Sequence, residues 1–511
     1  MTEFLHVTNS FLLSSDVNIK FSQLRDMDKS EFSDWVSKLQ STVKKSWVEY
    51  DQPPIKAVSE EGIVSQYHRL VQSSSDIDLA VDGLTQTKDC ILQGVPISAA
   101  SSFFSNMGKM KDINSNMLEG DSLWSLFVEG KNFEKLFSSV KRNILKDSFL
   151  QYAPVLTLAD PQSESLTAME WLEKNTNAAA SNYNYWLEPT KLKSKRGNAL
   201  LVRGDELQRL GEKVLCKLDH WAETRIDHNS ESFKKLIFRI RLYDDKIKVF
   251  PKAFHCFRQG MVVMGVNFPP TIAKKIYAHF TKKLPESEPV KLYDPSSGYG
   301  GRLLGALSLL NERNIHYIGT DPNSDNWIDE LSLSRYELLA RHFNANVRGR
   351  YQTSYEIHKC GSEVFSETPE FLNHRGTVDL IFTSPPYFAA EGYSEDETQS
   401  YKKFPSYDLW RDQFLRKTLE NCVELLKPDR WILWNIADVS FDGKLYPLER
   451  DSVEIAKSLG LVYKKRLKMV LSGALSGKKI NKQTRQPTTK NYCAINNIYR
   501  KYEPIFCFYK E

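Results

Sequence analysis

Thr383-Ser384-Pro385-Pro386-Tyr387 follows directly on the apolar run Val378-Asp379-Leu380-Ile381-Phe382. The run reads as a buried strand of a parallel sheet. Two successive prolines remove two backbone donors and stop the strand at once. The stiff turn that results offers carbonyl oxygens and the Ser384 hydroxyl along its polar edge, with the Tyr387 ring beside them. Such a turn can hold a flat ring against Tyr387 while its oxygens accept hydrogen bonds from an amino group on that ring. The lone pair of an exocyclic amine on cytosine or adenine is conjugated with the base, so the nitrogen is a poor nucleophile. Accepting its N–H bonds draws the nitrogen toward sp3 and frees the lone pair to attack an in-line sulfonium methyl. Positioning and fixed dipoles would do this, not a strong base. Taken alone, the same five residues could also be an ordinary proline-rich turn.

A second motif stands upstream. Lys291-Leu292-Tyr293 leads into Asp294-Pro295-Ser296-Ser297-Gly298-Tyr299-Gly300-Gly301-Arg302, and Leu303 to Leu307 follows. This reads as strand, glycine-rich turn and helix. Glycine permits positive φ and close backbone approach to a ligand. The Gly-x-Gly-Gly spacing, with no Gly-Lys-Ser/Thr after it, argues against both a dinucleotide fingerprint and a P-loop. Next, His316-Tyr317-Ile318-Gly319-Thr320-Asp321 reads as a second strand ending in an acid, 27 positions after Asp294. An acid placed there can accept from two ribose hydroxyls, or it can cap a following helix.

With these elements in hand, the chain resembles the S-adenosylmethionine-dependent amino-methyltransferases of DNA, whose hallmark is Asp/Asn/Ser-Pro-Pro-Tyr/Phe. The resemblance runs from roughly residue 250 to the end. It implies that Asp294, Ser296, Gly298, Gly300 and Asp321 hold S-adenosylmethionine. Ser384, Pro385, Pro386 and Tyr387 would hold the target base, with Ser384 also near the cofactor. Asn267-Phe268-Pro269-Pro270-Thr271 resembles the family's Phe-Thr-Pro segment, which puts Phe268 and Pro270 near the methionine end. Pro269 departs from the usual hydroxyl residue there. Leu425 to Asp429, then Trp431 to Asp438, looks like the family's helix, Lys-Pro turn and fifth strand. Tyr502 to Phe508 looks like its last strand. Serine before the prolines is commonest among enzymes that modify cytosine at N4, and aspartate or asparagine among those that modify adenine at N6. The implied fold is α/β, a class I methyltransferase (Rossmann-like) doubly wound sheet. The implied reaction is methyl transfer to a flipped base in DNA, with cytosine N4 favoured. Adenine N6, an RNA or protein amide, or a non-catalytic binding protein on the same fold stay open as alternatives. A restriction or modification partner is a further possibility of this class.

Length and composition fit that expectation. A chain of 511 residues, 41% hydrophobic and 12% aromatic, predicts two or three globular domains. No apolar run approaches a membrane span, and the first residues lack a basic-then-apolar signal pattern. The seven cysteines are scattered with no Cys-x-x-Cys pair, and the histidines show no metal-ligand spacing, so no metal is expected. The expected setting is the reducing cytoplasm of a prokaryotic or virus-infected cell. The net charge of +5 is uneven: residues 461–511 hold 12 Lys/Arg against 2 Asp/Glu. The excess concentrates in a predicted basic loop over 464–490. There Lys478, Lys479, Lys482 and Arg485 are candidate DNA-phosphate contacts. Residues 1–245 read as a mostly helical region for target recognition or partner binding, from amphipathic stretches such as Glu31 to Trp47. The polar segment Asn182 to Arg203 reads as a linker or exposed loop. Residues 246–511 read as the methyltransferase domain. His316 reads as structural, Glu356 as a solvated acid or an adenine contact, and Asp438 as a pocket wall or a helix cap.

Overall fold

The computed structural model describes most of residues 15–130, four strands between 155 and 243, and residues 265–511 apart from 395, 442, 472–480, 482–489 and 496–497. The chain divides into two compact units. One gathers Val58–Leu123 and Val263–Glu511 with the first seven residues. The other gathers Thr8–Ala57 and Trp124–Val262.

The first unit is built on seven strands: β1 (Val290–Asp294), β2 (Ile315–Thr320), β3 (Thr353–His358), β4 (Val378–Thr383), β5 (Leu426–Asn435), β6 (Val462–Val470) and β7 (Ile498–Lys510). Their spatial order is β3-β2-β1-β4-β5-β7-β6. The first five run parallel, and β7 is antiparallel to both neighbours. This is the doubly wound α/β sheet of class I methyltransferases with its reversed last hairpin. The order changes direction between β1 and β4, which is where such sheets bind ligands beyond their carboxyl ends.

All six residues of β4 are buried, as a central strand covered on both faces requires. Side chains alternate between two cores. Leu292, Tyr317, Leu380, Phe382 and Leu433 face one. Tyr293, Ile318, Ile381, Ile432 and Trp434 face the other. Helices α1 (Pro270–Thr281), α2 (Gly301–Leu307) and α3 (Arg335–Asn346) cover the first face. Short α4 (Pro369–His374) and α5 (Arg416–Leu425) cover the second. Helices α1 and α2 touch at Gly305, where a Cβ would lie 2.6 Å from Ala273 Cβ.

Residues 58–123, expected within the N-terminal region, pack onto this sheet. The strands Leu79–Asp82 and Thr87–Gln93 pair with each other, and the second runs parallel to β6, with Ile91 opposite Lys468. Helix Glu60–Gln72 lies against the first core through Ile63, Tyr67 and Leu70. Its last carbonyls are capped by a buried cation: Lys274 Nζ donates to the oxygens of Leu70 (3.1 Å), Val71 (2.8 Å) and Ser73 (2.7 Å). Glu312 stands 3.4 Å away as its counter-charge. A cation suits a helix C-terminus, where carbonyl oxygens are left over.

The second unit contains helix Lys29–Tyr50, begun by an Asp28/Glu31 capping box and buried through Phe32, Trp35, Leu39, Val43 and Trp47. It also contains a four-stranded sheet in the order Val155–Thr157, Ala199–Val202, Ala180–Trp186, Ile237–Tyr243. The stretch 182–203 read as linker or loop therefore holds most of one strand and all of another. Its polar residues had masked the alternation of Tyr183, Tyr185 and the run Ala199 to Val202. Lys464, Lys465, Arg466 and Lys468, placed in a basic loop by sequence, lie in β6, where Leu467 and Met469 on either side of Lys468 are buried.

Replacing Lys274 with methionine is expected to lower the unfolding free energy by about 2–4 kcal/mol, because three carbonyls and Glu312 lose their buried partner. Urea unfolding measures the loss. Faster amide exchange across Glu60–Gln72 would locate it, and an unchanged midpoint would contradict the capping role.

Candidate active site

The turn after β1 and the turn after β4 are joined by one carboxylate. Asp294 is fully buried. Its Oδ2 accepts from Arg302 Nε (2.8 Å) and from the Tyr317 hydroxyl (2.5 Å). Its Oδ1 accepts from Thr383 Oγ1 (2.8 Å) and, more loosely, from the Ser296 N–H (3.3 Å). Arg302 also donates to the Ser296 carbonyl. The glycine turn, the second strand and the residue just before Ser384 are thus tied to the same group. Both oxygens of Asp294 are engaged in this way, so its part is to shape the cradle in which Ser296, Gly298 and Gly300 lie.

The glycine turn is pinned from both sides. Gly298 and Gly300 have φ of +58° and +71°, the left-handed region that side chains disfavour. A Cβ on Gly300 would meet the Phe104 ring at 2.8 Å, whereas one on Gly298 would have nothing closer than 3.8 Å. The backbone at Gly298 is therefore approachable. Its N–H donates to Asp321 Oδ2 (2.9 Å), and its carbonyl accepts from the Tyr336 hydroxyl. Asp321 Oδ1 accepts from the Asn323 N–H (2.9 Å) and from Asn326 Nδ2 (3.3 Å). Burial pushes the Asp321 carboxyl up to about 6, against those donors, which pull it down.

Phe268 and Pro270 lie beneath this turn. The Phe268 ring packs edge-on to Phe382 at 5.3 Å, with the Arg302 guanidinium 5.4 Å from its centroid. Pro270 is buried as the first residue of α1. Asn267, not singled out from sequence, clamps the turn by donating to the Tyr299 carbonyl (2.6 Å) and accepting from the Gly301 N–H (3.1 Å). The 58–123 segment adds a wall. Phe104 packs on Tyr299 and Tyr336, Asn106 donates to Asn326 (2.8 Å), and Lys109 pairs with Asp325 (2.6 Å). No local motif signals these contacts, which join residues far apart in the chain.

At the second turn Pro385 is buried, and Ser384, Pro386 and Tyr387 are partly exposed. The Tyr387 hydroxyl lies 3.4 Å from the Asn435 carbonyl at the end of β5 and 3.3 Å from Glu503 Oε2 on β7. Ser384 is also its hydrogen-bond partner. Burial, then the Glu503 charge, pushes the phenol well up, so it stays a neutral donor. Burial likewise raises the Glu503 carboxyl. Phe388 adopts φ +51°, a strained value for an aromatic residue. It is held there by packing on Tyr407, Trp410 and Tyr446. Asp438 accepts from the Glu449 N–H (3.0 Å) and so caps the helix Leu448–Ser458. Lys478, Lys479, Lys482 and Arg485 lie outside the described residues.

The sheet order, with the glycine turn and the proline turn at neighbouring strand ends, is the fold of the class I methyltransferases. Within it, residues 378–511 match the family model described as DNA methylase, of the N6/N4 kind. That segment begins with β4 and the Ser384–Tyr387 turn, so the resemblance read from the sequence holds there. No curated protein matches the chain. Among solved structures, the chain is similar to TrmN from Thermus thermophilus (12% identity, 48% of this chain and 49% of that one, TM-score 0.26). It is also similar to an S-adenosylmethionine-dependent methyltransferase from Methanosarcina mazei (12%, 46% and 96%, TM-score 0.27). A third is a candidate DNA modification methylase, also from Thermus thermophilus (18%, 29% and 49%, TM-score 0.18). The chain spans about half the length of the first of these. The strand order carries the fold assignment, not these superpositions.

The residues present fit the cofactor: an open backbone at Gly298 and an acid beside it suit a ribosyl group, and the aromatic Phe268 lies beneath the turn. If Asp321 is the ribose acceptor that the resemblance implies, it has to be ionised, and protons compete for it below about pH 6. Cofactor affinity is therefore expected to weaken about tenfold per pH unit below that point and to level off above it. Calorimetry between about pH 5 and 8 measures this, and Asp321→Asn should flatten the profile. An equal slope in wild type and variant would exclude Asp321 as the titrating acceptor.

Proposed function

We propose that this protein is a DNA methyltransferase that acts on the exocyclic amine of a flipped base, with cytosine N4 the preferred target. The observation that carries the reading is the 2.8 Å bond from Thr383 Oγ1 to Asp294 Oδ1. It sets the amine-accepting turn directly beside the glycine turn. S-adenosylmethionine, when bound, supplies an electrophilic methyl on a sulfonium. Ser296, Gly298, Gly300 and Asp321 hold it, with Phe268 and Pro270 below.

The chain's own residues then do the following. Pro385 and Pro386 keep the turn rigid. The Ser384 hydroxyl and the turn's carbonyl oxygens accept from the amino group, which localises its lone pair. Tyr387, anchored through its hydroxyl at the end of β5 and at Glu503 within β7, presents a ring of fixed orientation for the base to stack against. The base must leave the duplex to reach it. Serine at 384 supports cytosine over adenine by resemblance. Lys478, Lys479, Lys482 and Arg485, in the basic stretch before the last strand, are assigned to DNA phosphates. The N-terminal region is assigned to target recognition or to a partner, and the protein to the cell interior. Among the described residues no helix is long and apolar enough to cross a membrane.

Ser384→Ala and Tyr387→Ala are each expected to lower the rate of methyl transfer to DNA about a hundredfold or more while leaving cofactor affinity within about threefold. Transfer of a radiolabelled methyl and calorimetry give the two numbers. Mass spectrometry of nucleosides from treated DNA should show 4-methylcytosine. Finding 6-methyladenine instead would move the target to adenine, and finding neither, with transfer to RNA or protein, would overturn the DNA assignment.

A further inference from the structure

The histidines look scattered in the sequence, but three of them converge in the fold. Glu356 and His358 stand two residues apart on β3, so they share a face. His316 comes from β2 and His374 from the end of α4. All three imidazoles turn Nε2 toward the Glu356 carboxylate. His316 lies 2.8 Å and His374 2.7 Å from Oε1, and His358 lies 3.9 Å from Oε2. The His374 and His358 side chains are 9% and 17% exposed. His374 Nδ1 and His358 Nε2 are buried without a hydrogen-bond partner.

A plain ion-pair network accounts poorly for this arrangement. The imidazole rings lie 6.3 Å (His316–His374) and 6.4 Å (His358–His374) apart, so charging more than one of them brings like charges together around a single carboxylate. His316 adds a tautomer argument. Its Nδ1 lies 2.8 Å from Ser354 Oγ, and that hydroxyl also lies 3.4 Å from the Ile315 carbonyl, which can only accept. With the hydroxyl hydrogen directed to the carbonyl, Ser354 accepts from Nδ1–H. The Nε2 lone pair of a neutral His316 then faces a carboxylate oxygen. A cation between them turns that repulsion into two bonds, and the Ser354 contact becomes the outer hydrogen bond that orients a ligating histidine.

The geometry points to a site for one divalent transition-metal ion of the zinc class, held by His316, Glu356, His358 and His374. Zinc bonds of about 2.0–2.1 Å in a tetrahedron put ligand atoms roughly 3.3 Å apart. The nitrogen–oxygen separations to Glu356 bracket that value. The ligand atoms of Glu356, His358 and His374 already lie within 4.8 Å of one another, and His316 closes on them from the Glu356 side. Three imidazoles and one carboxylate select a borderline ion over calcium or magnesium, which take oxygen donors. The ion would join the edge strand β3 to β2 and α4. The His358 carbonyl accepts from the Asp321 N–H (3.1 Å). The ion would therefore also brace the rim on which the cofactor's acid stands.

The test uses the full-length chain without an affinity tag, stripped with a chelator and then titrated with Zn2+ or Co2+ alone. One equivalent is expected to bind, with a Co2+ visible spectrum of a four-coordinate nitrogen-rich site and a higher melting temperature. Glu356→Gln and His374→Ala should each weaken binding at least about a hundredfold, since even partners outside the ligand shell change affinity by about 10–100-fold. Circular dichroism and retained cofactor binding identify which variants are folded. His358→Asn is the replacement should either of the first two not fold. Absence of stoichiometric binding by the stripped wild type, or equal affinity in folded variants, would overturn the site.

Discussion

Asp294 is the constraint on which the rest of the first unit depends. A fully buried carboxylate is costly unless every lone pair is used, and here the donors come from four places: Arg302 on α2, Tyr317 on β2, Thr383 on β4 and the Ser296 amide of its own turn. The charge is matched by a guanidinium that is itself only 5% exposed. Satisfying this one group fixes the relative placement of the three central strand ends. Loss of Arg302 would leave the charge uncompensated, and loss of any other donor would leave a buried lone pair unsatisfied, so the two turns hold their spacing as a unit.

Around that centre, the site is kept open by groups that fill space elsewhere. Phe388 holds an unfavourable backbone angle because a cluster of rings encloses its side chain. Tyr387, one residue earlier, is thereby directed toward the end of β5 and Glu503 on β7. Gly298 leaves room where a ligand must approach, while Gly300 removes a clash with Phe104. The turn is rigid on its protein side and unobstructed on the other, as a preorganised site needs to be.

Much of this was legible in the sequence because the signals are local. The apolar run ending in Ser-Pro-Pro-Tyr, the Gly-x-Gly-Gly turn and the acid after the second strand are each short, contiguous patterns, and the fold brings them together. What the sequence concealed depends on contacts between distant segments. Phe104, Asn106 and Lys109 gain meaning only when their segment folds over the glycine turn. His316, His358 and His374 come from two strands and a helix, with no repeat to announce them. The segment 182–203 hid its strands because the lysines and other polar residues between Trp186 and Ala199 outweighed the short alternation of Tyr183 and Tyr185. The run Lys464 to Lys468 looked like a loop by charge, yet it contains Leu467, which the ladder with β7 buries.

The hairpin Leu79–Asp82/Thr87–Gln93 carries one more implication. By pairing with β6 it covers what would otherwise be the free margin of the large sheet. A fragment starting near residue 246, chosen to isolate the motifs, would leave the backbone groups of Lys468, Met469 and Val470 without their neighbouring strand. It would also leave buried Lys274 facing solvent. Bare sheet margins recruit other chains, so such a piece would tend to self-associate. The smallest piece of this protein that keeps the large sheet covered must retain residues from well before its last half.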